Sequence, residues 1–251
     1  MARGSARVLT YAVLVLITVA AWGQVLWMAT TDDMAGMDMV MTPGWADGLG
    51  YVLAWGVMMA AMMLPSALPM IGLYAATQRR AAAPAALPVT LFTLIYLVVW
   101  ATTGVPIYLA NVGWSHLAAG PRAYALAAVL IVAGAFQVTP LKQACLRRCR
   151  SPIGFLLGHW RAGWRGGLAL GWSHAAYCLG CCWALMVVLV AAGAMGLTWV
   201  LLVAVIVAAE KVLPRGEWIA RGTGVALIVL GVAVAARPSL ALVLRGGGQP
   251  M

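Results

Sequence analysis

The stretch His174-Ala175-Ala176-Tyr177-Cys178-Leu179-Gly180-Cys181-Cys182-Trp183 holds three of the chain's five cysteines inside a long apolar run. On a helix that turns about 100° per residue, with His174 at zero, Cys178 falls near 40°, Cys181 near −20° and Cys182 near 80°. The spacing predicts one helix face carrying an imidazole and three thiols. Those groups are ligands for soft and borderline metals, Cu(I) and Zn(II) above all. The bland alternative is small residues at a helix interface, with Gly180 allowing close approach. Three thiols within five residues beside a histidine are more than packing requires.

A second soft cluster is Trp55-Gly56-Val57-Met58-Met59-Ala60-Ala61-Met62-Met63-Leu64-Pro65. Met58/Met62 and Met59/Met63 are i, i+4 pairs, so their thioethers stack in adjacent stripes. Thioether sulfur is soft and uncharged and suits Cu(I) better than Zn(II). The alternative is that methionine fills irregular gaps between helices. Pro65 and Pro69 each remove a backbone donor and are expected to interrupt the helix. Both clusters sit near the middle of their apolar runs and so should share a depth. Whether the two helices touch is left open by the sequence. A third cluster interleaves Met34, Met37, Met39 and Met41 with aspartates such as Asp38. It could gather soft cations without the disulfide chemistry that consumes thiols. A fourth pair, Cys145 and Cys149, lies one helical turn apart among Lys142, Arg147, Arg148 and Arg150 and could release a metal or act as a redox pair, the bland alternative being a basic anchor with ordinary reduced cysteines. Glu210 and Lys211 are expected to form a snorkelling pair or a structural contact at a helix end, with a transport-coupled carboxylate as the sharper alternative. His116 and His159 sit in links and carry no assigned role.

Something must position these groups, and the composition says what. The chain has 251 residues, 64% of them hydrophobic and 9% charged. Apolar runs of about 20 residues separated by short basic links exclude a soluble globular domain and predict an all-α, polytopic transmembrane bundle. Seven spans are expected, at 8–29, 49–76, 88–110, 123–141, 167–192, 197–213 and 217–236, within one transmembrane domain over 1–251. Six remain possible if the last lies along the interface or the first is removed. The first run is long for a signal peptide and is read as retained. With the N-terminus in the cytoplasm, thirteen of the sixteen basic residues fall inside, which is a strong orienting signal. The Met/Asp-rich link 30–48 then lies outside and the basic link 142–166 inside. The net charge of +10 is thereby read as membrane orientation rather than nucleic-acid binding. Nor do the cysteines form a secreted disulfide framework. No phosphate loop, dinucleotide fingerprint or hydrolase nucleophile motif appears in a suitable context, so no catalytic residue is assigned.

Three blocks carry a resemblance: Trp55 through Met62-Met63-Leu64-Pro65 to Pro69; Gln137-Val138-Thr139-Pro140-Leu141-Lys142 through Cys145 and Cys149 to Pro152; and His174 through Cys178-Leu179-Gly180-Cys181-Cys182-Trp183 to Glu210-Lys211. At these residues the chain resembles the bacterial multi-pass proteins grouped as domain of unknown function 2182, described as predicted metal-binding integral membrane proteins. The resemblance implies a bacterial inner-membrane protein that handles a metal. Together with the soft donors it leads to an expectation of copper, as Cu(I), with zinc second. The expected role is transporter or membrane metallochaperone. Met34, Met37, Asp38, Met39 and Met41 would capture the ion outside. Met58, Met59, Met62, Met63, His174, Cys178, Cys181 and Cys182 would hold it at the midplane, and Cys145 and Cys149 would release it inside. The expected partners are the lipid bilayer, the ion and a metallochaperone or membrane complex. Two other classes stay open: a membrane thiol oxidoreductase, and a non-catalytic assembly partner of a membrane complex.

Overall fold

A computed structural model of the chain describes residues 2–30, 45–78, 86–115, 119–161, 163–192 and 196–244. The Met/Asp-rich segment with Met34, Met37, Asp38, Met39 and Met41 lies outside the described residues, as does His116. Among the described residues the regular structure is helical, without strands. The helices are α1 (Ala2–Thr30), α2 (Trp45–Gln78), α3 (Ala86–Thr102), α4 (Gly104–Ser115), α5 (Ala119–Gln137), α6 (Pro140–Arg150), α7 (Pro152–His159), α8 (Gly163–Ala191), α9 (Leu197–Val212), α10 (Gly216–Ala236) and α11 (Leu240–Leu244).

Helices that are apolar on every side bury one flank against neighbours and offer the other to an apolar solvent. Five are long and apolar enough to cross a membrane: Thr10–Thr30, Asp47–Gln78, Ala86–Gly113, Gly163–Ala191 and Gly216–Ala236. A sixth is available if Pro121–Gln137 and Pro140–Arg150, bent by 61°, count as one broken span. The expected span at 197–213 becomes α9, of 16 residues. At about 1.5 Å per residue it reaches roughly 24 Å, short of a ~30 Å hydrocarbon layer.

Three local expectations are corrected. The fourth predicted span does not run straight to 141: α5 ends at Gln137 and a new helix starts after Thr139. The Thr139 hydroxyl accepts from the Lys142 amide at 3.2 Å, and Pro140 opens the first turn, which is the chemistry of a helix start. The segment 142–166, expected as a basic link, instead begins with α6 and α7, which bury Lys142, Gln143, Leu146, Phe155 and Leu156. Charge counting missed this because Arg147 and Arg148 of α6 are exposed while Lys142, Gln143 and Leu146 turn inward. The second predicted helix is not interrupted at Pro65 or Pro69, since α2 runs through both. Hydroxyls close on its backbone there: Ser66 donates to the Met63 carbonyl at 2.8 Å and Tyr96 donates to the same oxygen at 3.3 Å.

The core lies where α2, α3, α8 and α9 converge, with α6 closing one end. α8 packs along α3 and against α6, α3 packs on α2, and α5 pairs with α10 on one flank. The close approach of α3 and α8 needs glycine. A Cβ on Gly171 would stand 2.6 Å from the Phe92 carbonyl oxygen and 2.2 Å from Ile95 Cγ2. With that contact made, Tyr96, one turn beyond Phe92, meets α8 at Cys178.

Candidate metal centre

The four α8 residues are all buried, yet they face different neighbours. His174 is boxed by the rings of Phe92, Tyr96 and Phe155, with centroids 5.5 to 5.8 Å away, and its Nδ1 has no hydrogen-bond partner among the described residues. A buried imidazole nitrogen without a partner is either an energetic cost or a ligand atom waiting for its ion. Cys178 Sγ lies 3.1 Å from the Tyr96 hydroxyl and 2.9 Å from Lys211 Nζ. Lys211 Nζ also donates to Ser66 Oγ at 3.2 Å and to Met63 Sδ at 3.8 Å. Thiol and thioether from the two predicted clusters therefore meet, but through intermediaries: Tyr96 of α3 and Lys211 of α9 stand between α2 and α8. Met58, Met59 and Met62 are buried in α2, and Met63 reaches Lys211 Nζ, which in turn contacts Cys178.

Cys181 is the centre of a row. Its Sγ is 3.3 Å from Cys182 Sγ and 3.9 Å from Cys149 Sγ across the α6–α8 contact, and it donates to the Cys178 carbonyl at 3.2 Å. Cys145 also turns toward α8: a Cβ added at Gly180 would sit 2.9 Å from Cys145 Sγ. The pair expected as a separate release site thus adjoins the α8 thiols. Two metal–sulfur bonds of ~2.3 Å span at most about 4.6 Å, so the Cys149–Cys181 spacing is within reach of one bridging ion. Among the described residues no group of three or more His, Cys, Asp or Glu side chains is arranged to hold an ion. The thiols are linked pair by pair rather than gathered into a cage. That suits an ion content with few soft donors, as Cu(I) is, better than structural Zn(II), which takes four.

The electrostatics are set by three buried charges. Lys142 and Glu210 pair at 2.6 Å, and Gln137 donates to the other Glu210 oxygen at 2.9 Å. Lys142 also donates to the Cys181 carbonyl, which ties the ion pair to the thiol row. Glu210 and Lys211 neither snorkel nor pair with each other. Both are buried, and consecutive helix residues point about 100° apart, so each serves a different neighbour. Sequence reasoning missed Tyr96, Ser66 and Gln137 at this site. It also counted Lys142 and Lys211 as basic residues of the links. The available signal was an ionisable residue beside or inside an apolar helix, which marks a functional position by default. His159 stacks on Phe155 at 4.5 Å, and its Nδ1 lies 3.0 Å from the Phe155 carbonyl oxygen.

A helical bundle with thiols and a thioether near its core offers donors of the kind that suit a soft metal. The chain belongs to the copper chaperone family PpoB2, whose model matches residues 52–234. The match begins in α2, ends in α10 and contains every residue of the sulfur cluster. No curated protein and no solved structure matches the chain.

Proposed function

We propose that this chain is a multi-pass protein of the bacterial inner membrane that binds Cu(I) and hands it on, as a transporter or membrane metallochaperone. The observation that carries the proposal is the thiol row Cys149–Cys181–Cys182, drawn from two helices and continued toward Cys178, inside a chain of a copper chaperone family. In this reading 1–251 is one transmembrane domain with its N-terminus in the cytoplasm, and α9, though short, completes seven spans where the bilayer thins to meet it. Without the buried Lys142 and Lys211, eleven basic residues still fall inside against three outside, which supports that orientation.

Copper is the cargo. Met34, Met37, Asp38, Met39 and Met41 collect it outside, and the α2 thioethers Met58, Met59, Met62 and Met63 pass it inward. Cys178, Cys181 and Cys182 hold it, with His174 Nδ1 as an additional donor, and Cys149 and Cys145 give it to an acceptor, a soluble metallochaperone or a membrane complex. Each step exchanges one soft donor for another, so no redox change is required. Binding engages thiolates and therefore releases protons.

The test is metal content of the detergent-purified chain after anaerobic loading with Cu(I) under reducing conditions, beside Cys178/Cys181/Cys182→Ser. Near-stoichiometric copper in the wild type and its loss in the variant are expected. Absence of copper from both would overturn the proposal. A thiol oxidoreductase is the second reading, favoured by the 3.9 Å approach of Cys149 to Cys181. It predicts a defined thiol–disulfide midpoint that does not depend on added metal.

A further inference from the structure

Among the described residues the buried charged side chains are Lys142, Glu210 and Lys211. The first two cancel in a direct ion pair. Lys211 is left without a carboxylate partner, and its ammonium lies against sulfur. Lys211 Nζ is 2.9 Å from Cys178 Sγ, 3.8 Å from Met63 Sδ and 3.2 Å from Ser66 Oγ. Among the described residues no carboxylate comes within ion-pair distance of it. A lone buried charge is expensive to keep unless something of opposite sign shares its surroundings. Hydroxyl, thioether and thiol contacts do not supply a full opposite charge.

The inference rests on the copper reading of this site, which does supply one. With Cys178 and one other of the α8 cysteines ionised at a time and the third still a thiol, an ion of charge +1 forms a centre of charge −1. With Lys211 the sum is zero. The same two thiolates around a divalent ion are neutral, and Lys211 then leaves the core at +1. We propose that Lys211 is the fixed counter-charge of the thiolate–copper centre, a positioning residue that makes the site select a monovalent soft cation over Zn(II). Lys211 does not ligate the ion. It rewards the net negative centre and penalises any centre that is already neutral. Its place on α9 fits this task, because α9 brings it between the α2 thioether and the α8 thiol without using either helix's own backbone.

The full-length chain in detergent micelles, reduced and anaerobic, would be titrated with Cu(I) and separately with Zn(II) against colorimetric chelator competitors. Lys211→Met removes the charge. Ser66→Asp neutralises it in place by setting a carboxylate beside Nζ, and so covers the case in which Lys211→Met does not fold. Lys211→Arg keeps the charge. In the first two variants Cu(I) affinity should fall about tenfold or more while Zn(II) affinity holds or rises, and Lys211→Arg should keep the wild-type ratio. A merely structural lysine would weaken both metals together. An unchanged Cu(I)-to-Zn(II) affinity ratio in Lys211→Met or Ser66→Asp overturns the role of Lys211 and leaves the copper reading standing. A wild type that takes up no Cu(I) overturns the copper reading itself, and the two failures are thereby distinguishable.

Discussion

Breaking the Lys142–Glu210 pair should destabilise the bundle far more than removing it whole. The two groups are 2.6 Å apart, with side-chain exposures of 0% and 1%. At an effective dielectric constant of about 20, two unit charges at that separation attract by roughly 6 kcal/mol. Taking both ions out of water costs several kcal/mol each, so the intact pair contributes little net stability. Glu210→Gln removes the attraction and leaves the burial cost of the Lys142 ammonium, for a loss of about 3–5 kcal/mol. The double change Lys142→Met with Glu210→Gln removes the charge as well, and should cost less than Glu210→Gln alone. The assay is unfolding by increasing sodium dodecyl sulfate in mixed micelles, followed by tryptophan fluorescence. Copper retention would be read on the same samples, because Lys142 also holds the Cys181 carbonyl. A Glu210→Gln loss below about 0.5 kcal/mol, or a double variant whose loss equals the sum of its singles, would refute the argument.

Two further outcomes are expected. Gly180→Ala should cost about 1–3 kcal/mol, because the new Cβ would stand 2.9 Å from Cys145 Sγ. Adding Cys145→Ala should recover most of that loss in the same unfolding assay, and no recovery would place the strain elsewhere. Copper retention in equilibrium dialysis should fall as pH is lowered. The metal-bound form carries fewer protons than the free form, so affinity rises with pH and is lost as thiolates are protonated. Retention that is flat between about pH 8 and about pH 5 would argue against thiolate ligation.

The helices were legible because hydropathy acts locally, and a run such as Gly163–Ala191 announces itself without any knowledge of its neighbours. The sulfur positions were legible for the same reason, since spacing alone put Cys178, Cys181 and Cys182 on one side of α8. What decides how those sulfurs are used was not legible. Lys142 meets Glu210 across 68 residues of chain, and Lys211 meets Cys178 across 33. A lysine near a basic segment reads as an orienting charge until its partner is known. The thioether–thiol meeting was open for a related reason. It depends on Tyr96 and Lys211, whose helices had no sequence signal tying them to either cluster. The Thr139-Pro140 start of α6 was readable, as a hydroxyl residue before a proline marks a helix beginning. It was absorbed into an apolar run because Leu141 continues the hydropathy.

That elbow explains why the α6 thiols lie against α8. A straight helix from Gln137 would carry Cys149 about 18 Å further along its axis, at ~1.5 Å per residue, away from α8. The 61° bend lays α6 against α8 instead. Once it lies there, periodicity does the rest. Lys142, Cys145, Leu146 and Cys149 recur at i, i+3, i+4 and i+7, which is one stripe of a helix. Lys142 and Leu146 are buried and the two cysteines half-buried, while Arg147 and Arg148 are exposed. Lys142, at the elbow end, is pinned by Glu210 and the Cys181 carbonyl. The next turns of the same stripe then present Cys145 to Gly180 and Cys149 to Cys181. One buried charge near the bend thus fixes the register in which Cys149 meets the buried Cys181 and Cys145 meets Gly180. A row that begins half-exposed and ends in the core is the arrangement a protein needs if it is to pass a thiophilic ion between solvent and its interior.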